Sequence, residues 1–279
     1  MTDAPRRSVW QDLFAPARCS LVGMVHAHAL PGTPAHRLSV SQIIERAVGE
    51  ARLLAEVGFD AVLVENMHDT PYVHGERLGP ETTACMTAVL CAVRAELECP
   101  IGVQILSGGN RPAVAAALAA ESDFVRCENF VYSHIADEGL LAEAEAGPLL
   151  RYRASVAADH VGLFCDIKKK HASHAVTADL SISDVVKAAA FFRADAVVVT
   201  GSHTGEAAAL EDVREAASAS SLPVVVGSGV TAGTVADFRG TAGALIVGSD
   251  IKRDGLWSND IDPSRAAAIV SARDKAIPG

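Results

Sequence analysis

Aromatic residues are scarce in this chain, 5% of 279 positions, so Ala, Val and Leu must fill the core. That mix suits buried parallel strands covered by Ala-rich helices. Long apolar runs are missing too. Even 195–200 and 243–248 stop after about six residues, far short of the ~18 that a membrane span needs, so no direct membrane insertion is expected. No basic stripe appears and the formal net charge is −10, which argues against a broad nucleic-acid footprint. The N-terminal stretch has two arginines but no apolar h-region, so no secretory signal is expected there. The cysteines (Cys19, Cys85, Cys91, Cys99, Cys127 and Cys165) form no C-x-x-C pair and no regular spacing. Neither a zinc knuckle nor a disulfide framework is suggested, and free thiols in a reducing cytoplasm are expected.

What is present is a regular beat. Short Val/Ile/Leu/Ala runs fall at 20–26, 60–65, 100–106, 123–128, 161–166, 195–200, 223–227 and 243–248. Between them lie Ala-rich stretches of helical spacing at 40–57, 80–98, 111–121, 142–158, 181–192, 207–219, 231–238 and 263–275. Ser39 or Ser41, Thr82, Ser183 and Thr231 are candidate N-caps, and Gly58 is a candidate C-terminal stop. Alternation of this kind without a composition break predicts one α/β domain, a single (β/α)₈ TIM barrel over 20–279 with an N-terminal extension at 1–19. A doubly wound open sheet is the rival architecture. The connections after the first, second, fourth and fifth strands are long, which gathers loops on the C-terminal face, where such barrels carry their sites.

The strand ends there are polar. They read His26, Glu65-Asn66, Gln104, Arg126 with Glu128, Asp166 with Lys168, Thr200-Gly201, Gly227-Ser228-Gly229 and Gly248-Ser249. Buried polar groups cost free energy, so such a collection at one face suggests a site. The last two strands each stop at a glycine, about twenty residues apart. That is the arrangement by which strands 7 and 8 of a barrel hold a phosphate on bare backbone N–H groups. Lys252, one turn further on, is a candidate counter-charge. Asp166 and Lys168 are two apart, and an extended strand points both toward the mouth. Lys169 and Lys170 are expected to face solvent or a phosphate, and His171 and His174 to be acid/base or loop groups. The turn 200–205 adds hydroxyls and glycines. His26 and His28 form an H-x-H, the ligand spacing of a metal-dependent hydrolase, with His171 and His203 as conceivable partners.

Longer blocks carry a resemblance. GMVHAHALPGTP (23–34), VENMHDTPY (64–72), FVRCENFVYSHIADEG (124–139), LLRYR (149–153), DIKKKHASHAVTADLSI (166–182), VVTGSHTGEAA (198–208), VGSGVT (226–231) and IVGSDIKRDGLW (246–257) occur in the order found in the BtpA/SgcQ family, so the chain resembles that family over nearly its whole length. The stretch Gln104 to Asn110, with DIKKKH, is similar to the branch lacking an Arg-Asn-Asp turn after the third strand. His28 stands where the family pattern has no histidine. The resemblance implies the barrel. It also implies either a photosystem I biogenesis-type role or a place in sugar metabolism.

The residues themselves point to an enzyme acting on a small phosphorylated metabolite, a sugar phosphate or a nucleotide-derived compound. Glu65, Glu128 and Asp166 are the candidate acid/base carboxylates, and Lys168 the oxyanion stabiliser or imine former. His26, Asn66, Gln104, Arg126, Thr200 and Gly201 would orient the substrate. Gly227, Ser228, Gly229, Gly248, Ser249 and Lys252 would hold the phosphate. No cofactor is expected, a divalent metal being the minor alternative. A non-catalytic assembly or regulatory factor is the reading from another class. A homo-oligomer would bury the outer faces of Ala-rich helices such as 111–121.

Overall fold

The computed structural model describes residues 9–15, 19–201 and 207–275. Eight parallel strands close a barrel in the order β1-β11-β10-β9-β7-β4-β3-β2. They are β1 (Ser20–His26), β2 (Ala61–Glu65), β3 (Ile101–Gln104), β4 (Phe124–Cys127), β7 (Gly162–Ile167), β9 (Ala196–Val199), β10 (Val224–Val226) and β11 (Ala244–Val247). The open doubly wound sheet is thereby excluded. The helices are α1 (Val9–Leu13), α2 (Val40–Val57), α3 (Pro80–Arg94), α4 (Asn110–Ala119), α5 (Ala146–Ser155), α6 (Ile182–Phe191), α7 (Leu210–Ala219) and α8 (Pro263–Lys275).

Local chemistry sets the helix ends. Ser39 caps α2 in a reciprocal box with Gln42, and Gly58 ends it at φ 102°, a conformation that costs glycine little. Ser181, rather than Ser183, caps α6 through Asp184, and Gly79 rather than Thr82 precedes α3. The expected helix at 231–238 is only a 3-10 turn, Val235–Phe238, introduced by Thr234 rather than Thr231.

The alternation of the strands builds two cores. Outward residues such as Val25, Val64, Val103, Cys127 and Cys165 pack under the helices. Inward residues such as Met24, Leu63, Phe124, Phe164, Val198 and Ile246 fill the barrel, and Phe124 stacks on Phe164 with centroids 4.6 Å apart. Gly102 makes room for that stack, because a Cβ there would lie 2.2 Å from the Phe124 ring. Helix α1 closes the N-terminal end of the barrel: Trp10 lies 5.4 Å from Phe164 between ring centroids and presses on Gly243, while Phe14 meets Phe124. The next inward residue after each of these apolar ones is a strand-end polar group or glycine. The barrel is thus dry below and polar at its C-terminal mouth.

Three short strands were not foreseen. Strands β5 (His134–Ala136) and β6 (Gly139–Leu141) form an antiparallel hairpin within the β4–α5 connection, and β8 (Ala172–Ser173) from the β7–α6 connection pairs with β5. This small sheet ties two long loops together beside the mouth. No helix among the described residues is long and apolar enough to cross a membrane.

Candidate functional site

Register places His26 opposite Glu65, and Glu65 opposite Gln104, so three neighbouring strands present polar side chains at one level. Two adjoining cavities bring the strand-end carboxylates and glycine turns together. The smaller, about 160 Å³, lies between His26, Glu65, Arg126 and Lys170 on one side and Gly227, Ser228, Gly229, Gly248 and Ser249 on the other. The larger, about 280 Å³, is walled by Met67, Tyr72, Leu106 and Trp257 together with Gln104, Glu128, Asp166, Lys169 and Lys170. Glu65, Met67, Arg126 and Lys170 line both.

Most charges in the mouth are already matched. The Asp166 carboxylate accepts from Arg126 Nε at 3.0 Å, and Arg126 Nη2 lies 3.0 Å from the same oxygen as an ion pair, with both side chains buried. Burial pushes the Asp166 carboxyl up, and Arg126 pulls it back. Glu128 accepts from Lys169 Nζ at 2.8 Å, from Gly108 N at 2.6 Å and from Ser107 Oγ at 3.2 Å. Burial works against its charge, but Lys169, the Gly108 N–H and the charge of Arg126 outweigh it and hold the carboxyl below its ordinary range. Glu138, at the turn of the β5–β6 hairpin, competes with Glu128 for the single Ser107 hydroxyl proton and lies 3.8 Å from Lys169 Nζ.

His26 Nδ1 donates to the Trp257 carbonyl at 2.8 Å, which leaves Nε2 facing Glu65 Oε2 at 3.7 Å. Burial, followed by the charge of Lys252, depresses the His26 pKa to about 3, so at neutral pH the imidazole is uncharged and Nε2 carries a free lone pair. Burial raises the Glu65 carboxyl, while Arg126 and Lys170 pull it down. Gln104 is 2% exposed, and its Oε1 has no hydrogen-bond donor among the described residues. A buried acceptor left open at a cavity wall awaits a donor on a ligand.

The mouth therefore gathers His26, Glu65, Gln104, Arg126, Glu128, Asp166 and the two glycine turns, as the strand ends suggested. Ser228 Oγ accepts from Gly201 N at 2.8 Å, so Gly201 fixes the turn, and it lines a third cavity beside these two rather than either of them. Thr200 Oγ1 accepts from the Lys170 backbone N–H at 3.1 Å and so positions that lysine. His203 and the rest of 202–206 lie outside the described residues.

Three expectations need correction. Lys168 lines neither of these two cavities but a third, neighbouring one of about 640 Å³ that it shares with Lys169, Lys170, Thr200 and Gly201. The Lys168 φ of 45° breaks the strand alternation and its Nζ turns away to the Leu180 carbonyl, while Lys169 and Lys170 enter instead. Asn66 is fully buried and joins two loops: its Oδ1 accepts from Leu106 N at 2.7 Å and its Nδ2 donates to Asp69 at 2.8 Å. Lys252 is 1% exposed, lies 2.8 Å from both oxygens of Glu50 and does not line the cavity. It is a structural cation. The H-x-H also separates, since His28 stacks on His68 at 5.0 Å and approaches Arg46. Among the described residues no group of three His, Cys, Asp or Glu could hold a metal ion.

Lys169, Lys170, Glu138 and Trp257 are the residues that sequence reasoning undervalued. The Lys-Lys-Lys run marked the place, but a left-handed residue at 168 changes which lysine points inward. Glu138 reaches the mouth only through the hairpin, for which the sequence offered no alternating run.

A closed (β/α)₈ barrel with a charged, two-part cavity at its C-terminal mouth is the class of protein that fold and site define. Solved structures with this fold include (S)-3-O-geranylgeranylglyceryl phosphate synthase from Thermoplasma acidophilum, in complex with sn-glycerol-1-phosphate. It matches with a TM-score of 0.60 at 13% identity, covering 92% of this chain and 94% of that one. Thiamine phosphate pyrophosphorylase from Pyrococcus furiosus matches with a TM-score of 0.59 at 13% identity, covering 94% and 98%. Such identities show the fold alone. The BtpA family profile matches residues 17–275, and the chain belongs to the BtpA family. Relatives include an uncharacterised mitochondrial protein of Caenorhabditis elegans, 42% identical over 95% of this chain and 96% of its own. The photosystem I biogenesis protein BtpA of Synechocystis is 31% identical over 92% and 88%.

Proposed function

We propose that this protein is an enzyme acting by acid/base chemistry on a small phosphorylated metabolite, a sugar phosphate or a nucleotide-derived compound. The observation that carries the reading is the two-part mouth. Its smaller cavity sets the Gly227–Gly229 and Gly248–Ser249 turns against His26, Glu65, Arg126 and Lys170. The glycine wall offers close-approaching backbone for a phosphate, and Arg126 and Lys170 supply positive charge. The larger cavity takes the rest of the molecule. Glu65, with its raised pKa, and the neutral His26 are the acid/base pair; Asp166 and Glu128 hold Arg126 and Lys169 in place. Structural neighbours named for phosphorylated compounds support the reading at the level of fold. The setting of this activity is taken as cytoplasmic, in keeping with six free thiols.

A thermal-shift series tests it. Inorganic phosphate and a panel of sugar phosphates should raise the melting temperature, and the dephosphorylated sugars should not, because a ligand that binds only the folded state must stabilise it. Gly248→Ala is the informative variant: its new Cβ meets nothing nearer than Met24 at 3.4 Å, so it narrows the cavity without breaking the scaffold. Gly227→Ala is not, because its Cβ would lie 2.5 Å from Val198 Cγ1. No stabilisation by any phosphate, or an undiminished one in Gly248→Ala, would count against the reading. A BtpA-type assembly role, the second reading, is suggested by the name of the Synechocystis relative and by the outward pair Ile135 and Leu140 on the hairpin, 42% and 56% exposed.

A further inference from the structure

Subtracting the matched charges from the mouth leaves a short remainder. Arg126 has Asp166, Lys169 has Glu128, and Lys252 has Glu50. Lys170 has no side-chain hydrogen bond or ion pair among the described residues, although it lines both cavities. Its backbone is held by Thr200 Oγ1, so the side chain is presented from a fixed point. Beside it stand Glu65 and the open acceptor of Gln104. A buried lysine that is paired serves as a charge; one that is unpaired between a phosphate-type wall and a protonatable carboxyl is placed to react.

We propose that Lys170 Nζ is the nucleophile that forms an imine with the carbonyl carbon of a phosphorylated hydroxy-aldehyde or hydroxy-ketone, with Glu65 as the proton relay. This rests on the phosphate reading above and names its substrate class. The Nζ lone pair forms the C–N bond while the carbonyl π pair moves to oxygen. That oxygen takes one proton from Nζ, relayed through Glu65, and a second that the Glu65 carboxyl carried at the start. It leaves as water, and the products are a protonated imine and an ionised Glu65. Gln104 Oε1 accepts from a substrate hydroxyl. Burial first, and then the nearby charge of Arg126, lowers the Lys170 pKa, which supplies neutral amine for the attack; carboxylates including Glu65, Asp166 and Glu128 oppose this without reversing it.

The chain has six lysines (168, 169, 170, 187, 252 and 275), so the test is a simple peptide map. The full chain is treated with pyridoxal 5′-phosphate or with pyridoxal, reduced with borohydride and mapped as a function of pH. Each unit by which an amine's pKa falls raises its neutral fraction near pH 7 about tenfold. Lys170 should therefore label faster than the exposed Lys187 and Lys275, reach its plateau at lower pH, and prefer the phosphorylated aldehyde. Labelling at Lys170 no faster than at Lys187, or rising in parallel with it as pH increases, overturns the proposal; if inorganic phosphate still raises the melting temperature, the phosphate reading survives that result. Fast labelling by both aldehydes alike supports the lysine's role and refutes the phosphate wall. A sugar phosphate that stabilises the protein should also leave a borohydride-fixed adduct on Lys170, absent in Lys170→Arg. Stabilisation by several carbonyl-bearing sugar phosphates with no adduct on Lys170 from any of them overturns the imine.

Discussion

Replacing Lys252 with methionine separates a structural cation from a phosphate ligand. Methionine retains much of the aliphatic stem in a position that is 1% exposed, but it strands Glu50, whose two oxygens both lie 2.8 Å from Nζ. Removing one partner of a buried ion pair costs ~3–5 kcal/mol. Glu50 keeps 19% of its side chain exposed and still accepts from Ile261 N at 3.3 Å, so we expect a loss at or just below the bottom of that range, about 2–3 kcal/mol. Burial already raises the Glu50 carboxyl, with Lys252 restraining it. In Lys252→Met that restraint is gone, so the deficit should shrink as acidification protonates Glu50. Adding Glu50→Leu removes the stranded charge and should recover most of the loss, less about 1 kcal/mol for the abandoned Ile261 N–H. Urea unfolding of the four proteins of this double-mutant cycle at pH 7 and pH 5 reads these terms. Phosphate-induced stabilisation should stay the same throughout. A Lys252→Met protein of wild-type stability that no longer responds to phosphate would refute the assignment and restore Lys252 to the cavity wall.

Three further outcomes follow from the same geometry. His26 is depressed to about 3 against an ordinary 6.5, so the unfolded chain binds its proton first; the stability this lends is complete above pH 6.5 and is lost as pH falls toward 3. Between pH 7 and 4.5 the loss from this residue should be about 2–3 kcal/mol, and urea midpoints of His26→Gln should fall less steeply with acid than those of wild type. Trp10→Ala empties the aromatic plug under Phe164 and should cost about 3–5 kcal/mol in urea unfolding while leaving phosphate binding intact; a loss under 1 kcal/mol would mean α1 does not close the barrel. Lys168→Ala should change neither phosphate stabilisation nor aldehyde labelling at Lys170, because its amine is held at the Leu180 carbonyl, and an effect on either would return it to the site.

The strand ends illustrate how far linear reasoning reaches. Within an extended strand side chains alternate, so Met24 inside implies His26 inside, Leu63 implies Glu65, and Phe164 implies Asp166. The rule fails one residue after the strand stops. Lys168 adopts a left-handed backbone, which no local pattern in a run of three lysines announces. Asn66 and Lys252 fail for another reason: from sequence, a polar residue beside a site and one in it look alike. Only the partners, Leu106 and Asp69 for one and Glu50 for the other, tell them apart.

The sequence by itself determined the barrel, the order of its strands and helices, the family and the face that carries the polar groups. Each of those follows from periodicity or from stretches of neighbouring residues. Tertiary structure alone decided which ionisable groups neutralise one another and which are left over. Arg126 and Asp166 are 40 positions apart, Lys169 and Glu128 are 41 apart, and Glu50 and Lys252 are 202 apart. Charge pairing depends on distance and burial in space, to which separation along the chain is no guide, and it is this pairing that isolates Lys170 beside Glu65.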